Sequence, residues 1–212
     1  GRAASLVYAV QPLKYERSLS DALECLFRPV EETGFFDAAD GTFVRAWDYD
    51  LGPDGPTWTV DESDEWRYAP FALMGAMQWR HSTLGTDAFD DRLRRVLSYF
   101  QRAVGREEAL DRMPTYGTGP LLVAFALATD VFDDDGLLDV AWTLFEHTVE
   151  RTAFEHSEDA LVLYGWTYLY EVVNDEDVLK AVREGLWAVN ERLTDQGLFA
   201  FDDPTTRRHQ NQ

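Results

Sequence analysis

The sequence predicts an all-α chain built from repeated helical hairpins in an inner and an outer layer. Three observations carry this. Segments that are apolar nearly all round alternate with segments that are apolar on one side only. The alternation occurs three times, and the first kind starts at spaced positions near 68, 118 and 158. A helix that is apolar all round must be covered on every side, whereas a single stripe leaves one wet face, so the two kinds belong to different layers. An open solenoid of helical hairpins satisfies the same alternation.

The elements follow in chain order. A short apolar stretch, Leu6 to Val10, followed by Pro12, reads as an extended arm. From Tyr15 to Val30, Leu19, Ala22, Leu23, Leu26 and Phe27 share one helical face. Residues 34–62 break the rhythm: Gly, Asp, Pro and aromatics predict a strand- and turn-rich insertion with a tight turn at Asp54-Gly55-Pro56. Residues 67–80 (RYAPFALMGAMQWR) form the first inner helix. Residues 87–104 follow as an outer one, with Phe89, Leu93, Val96, Leu97, Phe100 and Val104 in one stripe. The second pair is 118–130, with Pro120 in the first turn, and 136–151. The third is 158–173, capped by Ser157, and 176–192, capped by Asn174 or Asp175. A fourth inner helix is due at 205–210, where the chain reads DDPTTRRHQNQ; GLFAFDD (197–203) before it echoes GFFDAADG (34–41). Residues 1–212 are thus expected to form one domain of roughly three and a half hairpins. Either the chain is cut in mid-architecture, or its open edge is covered by a second copy in a homo-oligomer.

Charge excludes several functions. Thirty-nine acidic residues against nineteen basic ones give a formal net charge of −20, which repels phosphates and argues against nucleic-acid binding. The single cysteine, Cys25, rules out an internal disulfide framework and a cysteine-cluster zinc site. No apolar run approaches the ~18 residues of a membrane span, and no signal sequence opens the chain, so a cytoplasmic protein without membrane contact is expected. Only Lys14 and Lys180 are lysines, while 23 aspartates outnumber 16 glutamates. This balance resembles proteins of salt-accumulating cells, where dense surface acids hold water under strong screening. An ordinary acidic protein from a GC-rich genome has the same balance.

Aromatic starts of inner helices, Gly-Leu-Phe returns and the phrase LYGWTYLYEVVNDEDVLKAVREGLWAVNERLTDQGLF (163–199) resemble the six-hairpin α/α toroid superfamily. Within it, GFF at 34–36, Glu65-Trp66-Arg67, Tyr116-Gly117 and His209-Gln210 resemble the N-acylglucosamine 2-epimerase family of sugar epimerases and isomerases. The resemblance implies a small carbohydrate substrate, Arg67 facing the sugar, and His209 moving a proton in the ring-opened form, with no metal and no cofactor. The sequence departs from the family pattern at Arg208, where a glycine precedes the histidine. It departs again at the third inner helix, where His156 is near the place of the second histidine and Asp159 stands in the facing position.

In a toroid the starts of the inner helices surround the mouth, and their N-termini offer partial positive charge. The catalytic candidates are His209, Arg67, Asp159 and Glu65, with Asp64 beside it; the substrate-binding candidates are Trp66, Tyr68, Tyr116, His156 and Gln210. Sugars require aromatic faces for their C–H surfaces and fixed polar groups for their hydroxyls, and the set has both. Two reactions fit it. Epimerisation uses a base near neutral pKa such as His209; inverting glycoside hydrolysis sets two carboxylates, Asp64 or Glu65 against Asp159, about 6.5–9.5 Å apart. A non-catalytic binding scaffold is the third reading. Each residue also has a plain structural explanation: acids favour helix starts, Asp159 can cap, Tyr116 can pack, and a terminal His-Gln run can be a solvated tail. Asp133-Asp134-Asp135-Gly136 lacks the ligand spacing of a calcium loop and reads as a turn with a helix cap.

Overall fold

The computed structural model describes residues 12–53, 55–61, 65–197 and 199–200. Among these residues the chain is mostly helical, with a small sheet portion. The helices are α1 (Pro12–Phe27), α2 (Glu65–His81), α3 (Asp90–Val104), the single turn α4 (Glu107–Leu110), α5 (Thr115–Phe132), α6 (Asp135–Arg151), α7 (Asp159–Val173) and α8 (Glu176–Asn190). The strands β1 (Phe36–Asp37), β2 (Thr42–Phe43), β3 (Ala46–Gly52) and β4 (Gly55–Asp61) fall inside the predicted insertion, so the chain is not all-α. They form two antiparallel ribbons, β1 with β2 and β3 with β4. Gly52 pairs with Gly55, and Pro56 lies within β4 opposite Leu51, so the turn runs between Gly52 and Gly55 and the predicted Asp54-Gly55-Pro56 turn extends too far toward the C-terminal side. A two-stranded ribbon has only edge strands, and an edge tolerates a proline that cannot donate to a ladder.

Helix α5 is the centre of the packing. Every residue from Gly117 to Ala128 is buried, with α2 on one flank and α7 on another in the largest helix–helix contacts of the molecule. Glycines set how close the three can come. A Cβ at Gly119 would meet the Leu161 backbone at 2.4 Å, and one at Gly165 would meet the Gly119 carbonyl at 2.9 Å. A Cβ at Gly117 would meet the Trp66 carbonyl at 2.5 Å. That carbonyl has lost its regular helical donor, because Pro70, four residues on, has no N–H. Pro120 likewise lies inside α5 rather than in its first turn, since the helix begins at Thr115.

These contacts also fix direction. Position 117 lies beside Trp66 near both helix starts, and His81 Nε2 meets Asp130 Oδ2 at 2.9 Å near both ends, so α2 and α5 run the same way. Position 119 lies beside Leu161 and position 165 beside Leu122, so α5 and α7 do too. Short connections make α6 and α8 return. Asp134 caps α6 by accepting from the Gly136 N–H, and Asp175, not Asn174, caps α8 by accepting from Asp177 and Val178. Asn174 instead ends α7 in the left-handed region, at φ 50°. Glu158 directly precedes α7 and its side chain makes no cap bond; the Asp159 carboxylate accepts from the His156 N–H at 3.2 Å while the Asp159 N–H donates to the His156 carbonyl, closing the turn that leads into the helix.

The core is one continuous apolar cluster running from Leu23 and Phe27 through Leu73, Met77, Leu97, Phe100 and Phe125 to Leu144, Trp166 and Val182. Trp166 is buried, and its indole N–H donates to Thr148 Oγ1 at 2.9 Å, joining α7 to α6. Among the described residues no helix is long and apolar enough to cross a membrane.

Candidate functional site

Among the described residues, the predicted site residues do not gather around one cavity. Trp66 and Tyr68 are two residues apart on α2, which turns their side chains to opposite faces. Trp66 is half-buried against Tyr99 and Phe100, with ring centroids at 6.4 and 5.9 Å. It lines a cavity of about 670 Å³ together with Arg106, Glu107, Glu108, Ala109 and Arg112. Tyr68 lies in a separate, largely apolar groove of about 380 Å³ with Cys25, Leu26, Phe43 and Ala72, and the Arg45 guanidinium sits 5.5 Å from its ring. Cys25 is therefore a half-buried groove residue.

Tyr116 is half-buried in the first turn of α5, next to the Gly117 contact with Trp66, so the α2 and α5 starts are neighbours. Asp159 is buried at 4% exposure and its carboxylate accepts from the N–H of His156, which is itself exposed. Glu65 and Arg67 fall inside α2, but their side chains lie outside the described set; Asp64, His209 and Gln210 lie outside the described residues altogether.

The cavity at Trp66 draws its polar side from a segment the sequence reading passed over. Residues 106–112 (REEALDR) lie between an outer and an inner helix, and α4 folds them into one turn that turns charged groups toward Trp66. Arg112 is held there by an Nε–H bond to the Glu108 carbonyl at 3.0 Å. The result is an indole face, two guanidinium groups and two carboxylates around one opening. It is at the end of the molecule where α2 and α5 begin.

A second polar cluster was also missed. Gln78, on α2, donates to Tyr164 Oη at 2.9 Å and Tyr168 Oη at 3.2 Å, and the two tyrosines share a 3.0 Å hydrogen bond on α7. The bond to Tyr168, with some burial, holds the Tyr164 hydroxyl above its usual pKa, so it stays protonated. The available signal was an amide on an otherwise apolar helix and two tyrosines four residues apart. This cluster ties α2 to α7 across α5.

Comparison with known protein families, with curated proteins and with solved structures finds no match to this chain.

Proposed function

We propose that the chain is a carbohydrate-binding protein that seats a small sugar against Trp66. The observation that carries this reading is the make-up of the 670 Å³ cavity, in which an aromatic face is flanked by Arg106, Arg112, Glu107 and Glu108. Most ligand pockets pair an apolar wall with a few polar groups that fix orientation. A pyranose matches this pattern, with C–H faces for the indole and hydroxyls for the charged rim. Helix α5 has no exposed face between residues 117 and 128, so we place the ligand at the helix-start end rather than on an axis inside the helix layer.

The finer architecture we propose is an arc of an α/α toroid. It is supported by the common direction of α2, α5 and α7, each followed by a helix with a wet face. The reaction we propose is metal-independent epimerisation or isomerisation of the sugar. Its support is the resemblance of Glu65-Trp66-Arg67, Tyr116-Gly117 and His209-Gln210 to the epimerase family, with His209 as the proton-transfer group. The engaged carboxylate of Asp159 weighs against paired-carboxylate hydrolysis and in favour of the second reading, a helical scaffold that binds without catalysis. The acidic surface suggests assaying in both dilute and multimolar salt.

The test is proton exchange. In deuterium oxide, N-acylated and free hexoses incubated with the full chain should incorporate deuterium at C2, and His209→Asn should abolish it. Release of a reducing sugar from an oligosaccharide without C2 exchange would establish the hydrolase instead. Saturable binding with neither reaction would establish the scaffold.

A further inference from the structure

The arginines are not spread evenly over this acidic chain. Helix α3 (DDRLRRVLSYFQRAV) carries four of them, and Arg94, Arg95 and Arg102 line one cavity of about 290 Å³ with Ser98 and the turn Ala39-Asp40-Gly41. The helical period explains the grouping: positions 94 and 95, 98 and 102 fall on one face in successive turns. The turn is brought close by Gly41, which is buried with φ +77° and lies where a Cβ would be 3.4 Å from the Arg95 carbonyl.

We propose that this cavity binds the phosphate group of a small phosphorylated metabolite. None of the three arginines enters an ion pair among the described residues, whereas Arg80 pairs with Asp90 at 2.7 Å and Arg151 with Asp111 at 2.6 Å. In a chain with twice as many acids as bases, three arginines that line one cavity without a carboxylate partner among the described residues concentrate positive charge there. Asp40, on the rim, pairs with none of them.

Two of the three groups are already positioned. The Arg94 guanidinium lies 4.0 Å from the centre of the Phe132 ring, and that of Arg95 lies 5.6 Å from the Phe36 ring while donating to the Ala38 carbonyl. Aromatic support limits the rotamers to be frozen on binding, and each guanidinium retains N–H donors in a planar fork. Arg102 has no such support and completes the cavity wall from the last turn of α3. A monocarboxylate would occupy one fork. A phosphate dianion presents three terminal oxygens and a second negative charge, which matches three guanidinium groups. The cavity is also too small for a large ligand. The carbohydrate reading is not needed here, since no lining residue is shared with the Trp66 cavity.

The test is calorimetric titration of the full chain with inorganic phosphate at constant ionic strength, with acetate and chloride as comparison anions. The expected result is one saturable phosphate site per chain, at least tenfold tighter than acetate or chloride. Arg102→Gln should weaken it at least tenfold, with the circular dichroism spectrum and unfolding midpoint unchanged, because Arg102 has no described partner to lose. Arg94→Gln should also weaken phosphate binding at least tenfold, and Trp66→Phe should leave it as it is. Absence of saturable phosphate binding, binding indifferent to Arg102→Gln, or chloride binding as tightly as phosphate would each overturn the proposal.

Discussion

The two ends of the α2–α5–α7 layer are built differently, although the same three helices make both. Toward the far end the helices are tied by side chains: His81 to Asp130 between α2 and α5, and Gln78 to Tyr164 and Tyr168 between α2 and α7. At the start end the α2–α5 contact is backbone against backbone, Gly117 beside the Trp66 carbonyl, and the Trp66 side chain is left to line an open cavity. A backbone contact through glycine needs no side chain, so the residues around it can serve a ligand. At the tied end Gln78, Tyr164, Tyr168, His81 and Asp130 bond one another instead.

The largest effect is expected at the neighbouring glycine contact of the start end, where Gly119 of α5 meets Leu161 of α7. Gly119→Ala should destabilise the fold by about 3 kcal/mol, because the new methyl group meets the Leu161 backbone, which cannot rotate away as a side chain would. Chemical denaturation would show this as a lowered midpoint at unchanged slope. Next comes the α6–α7 tie. Thr148→Val leaves the Trp166 indole N–H buried without an acceptor, for an expected loss of about 2 kcal/mol in the same experiment.

A smaller change sharpens the assignment of Asp159. If its carboxylate serves the helix start, Asp159→Ala costs about 1 kcal/mol of stability. An unchanged or raised stability together with lost activity would move Asp159 into the reaction. The smallest effect concerns His147 on α6, whose pKa is lowered from its ordinary value of 6.5, first by burial and then by Arg151. The folded state resists the proton that the unfolded chain takes up. Stability from this group is therefore whole above pH 6.5 and is lost as the pH falls toward the folded pKa. His147→Gln should flatten the stability–pH curve in that window.

Much of the fold was legible in the sequence because burial leaves a periodic record. The apolar run TGPLLVAFALATD announced the helix that turned out to be covered on every side, and the stripe of Leu93, Val96, Leu97 and Phe100 announced a one-sided helix. The insertion was legible from its turn residues, though not its register, which pairing between strands decides. The site was less legible. Trp66 and Tyr68 are adjacent on paper and opposed in space, because one helical turn takes 3.6 residues. Asp159 was a candidate by position, yet at the helix start its carboxylate reaches back to the His156 N–H of the preceding turn. Residues 106–112 and the arginines of α3 were passed over because charged residues on an outer segment look like solvated surface until a neighbouring element, here Trp66 or the Gly41 turn, closes a cavity over them.

The central claim is that the open end, and Trp66 in particular, holds a carbohydrate. The most direct measurement follows the indole N–H resonances of the full chain by nitrogen-15 NMR while an N-acylated hexose is titrated, with the Trp66 signal assigned by its loss in Trp66→Phe. The account predicts saturable movement of the Trp66 indole signal together with the Nε–H signals of Arg106 and Arg112, and at least tenfold weaker binding in Trp66→Ala. Saturable shifts confined to the groove at Tyr68, or no shift with any sugar in dilute or multimolar salt, would contradict it.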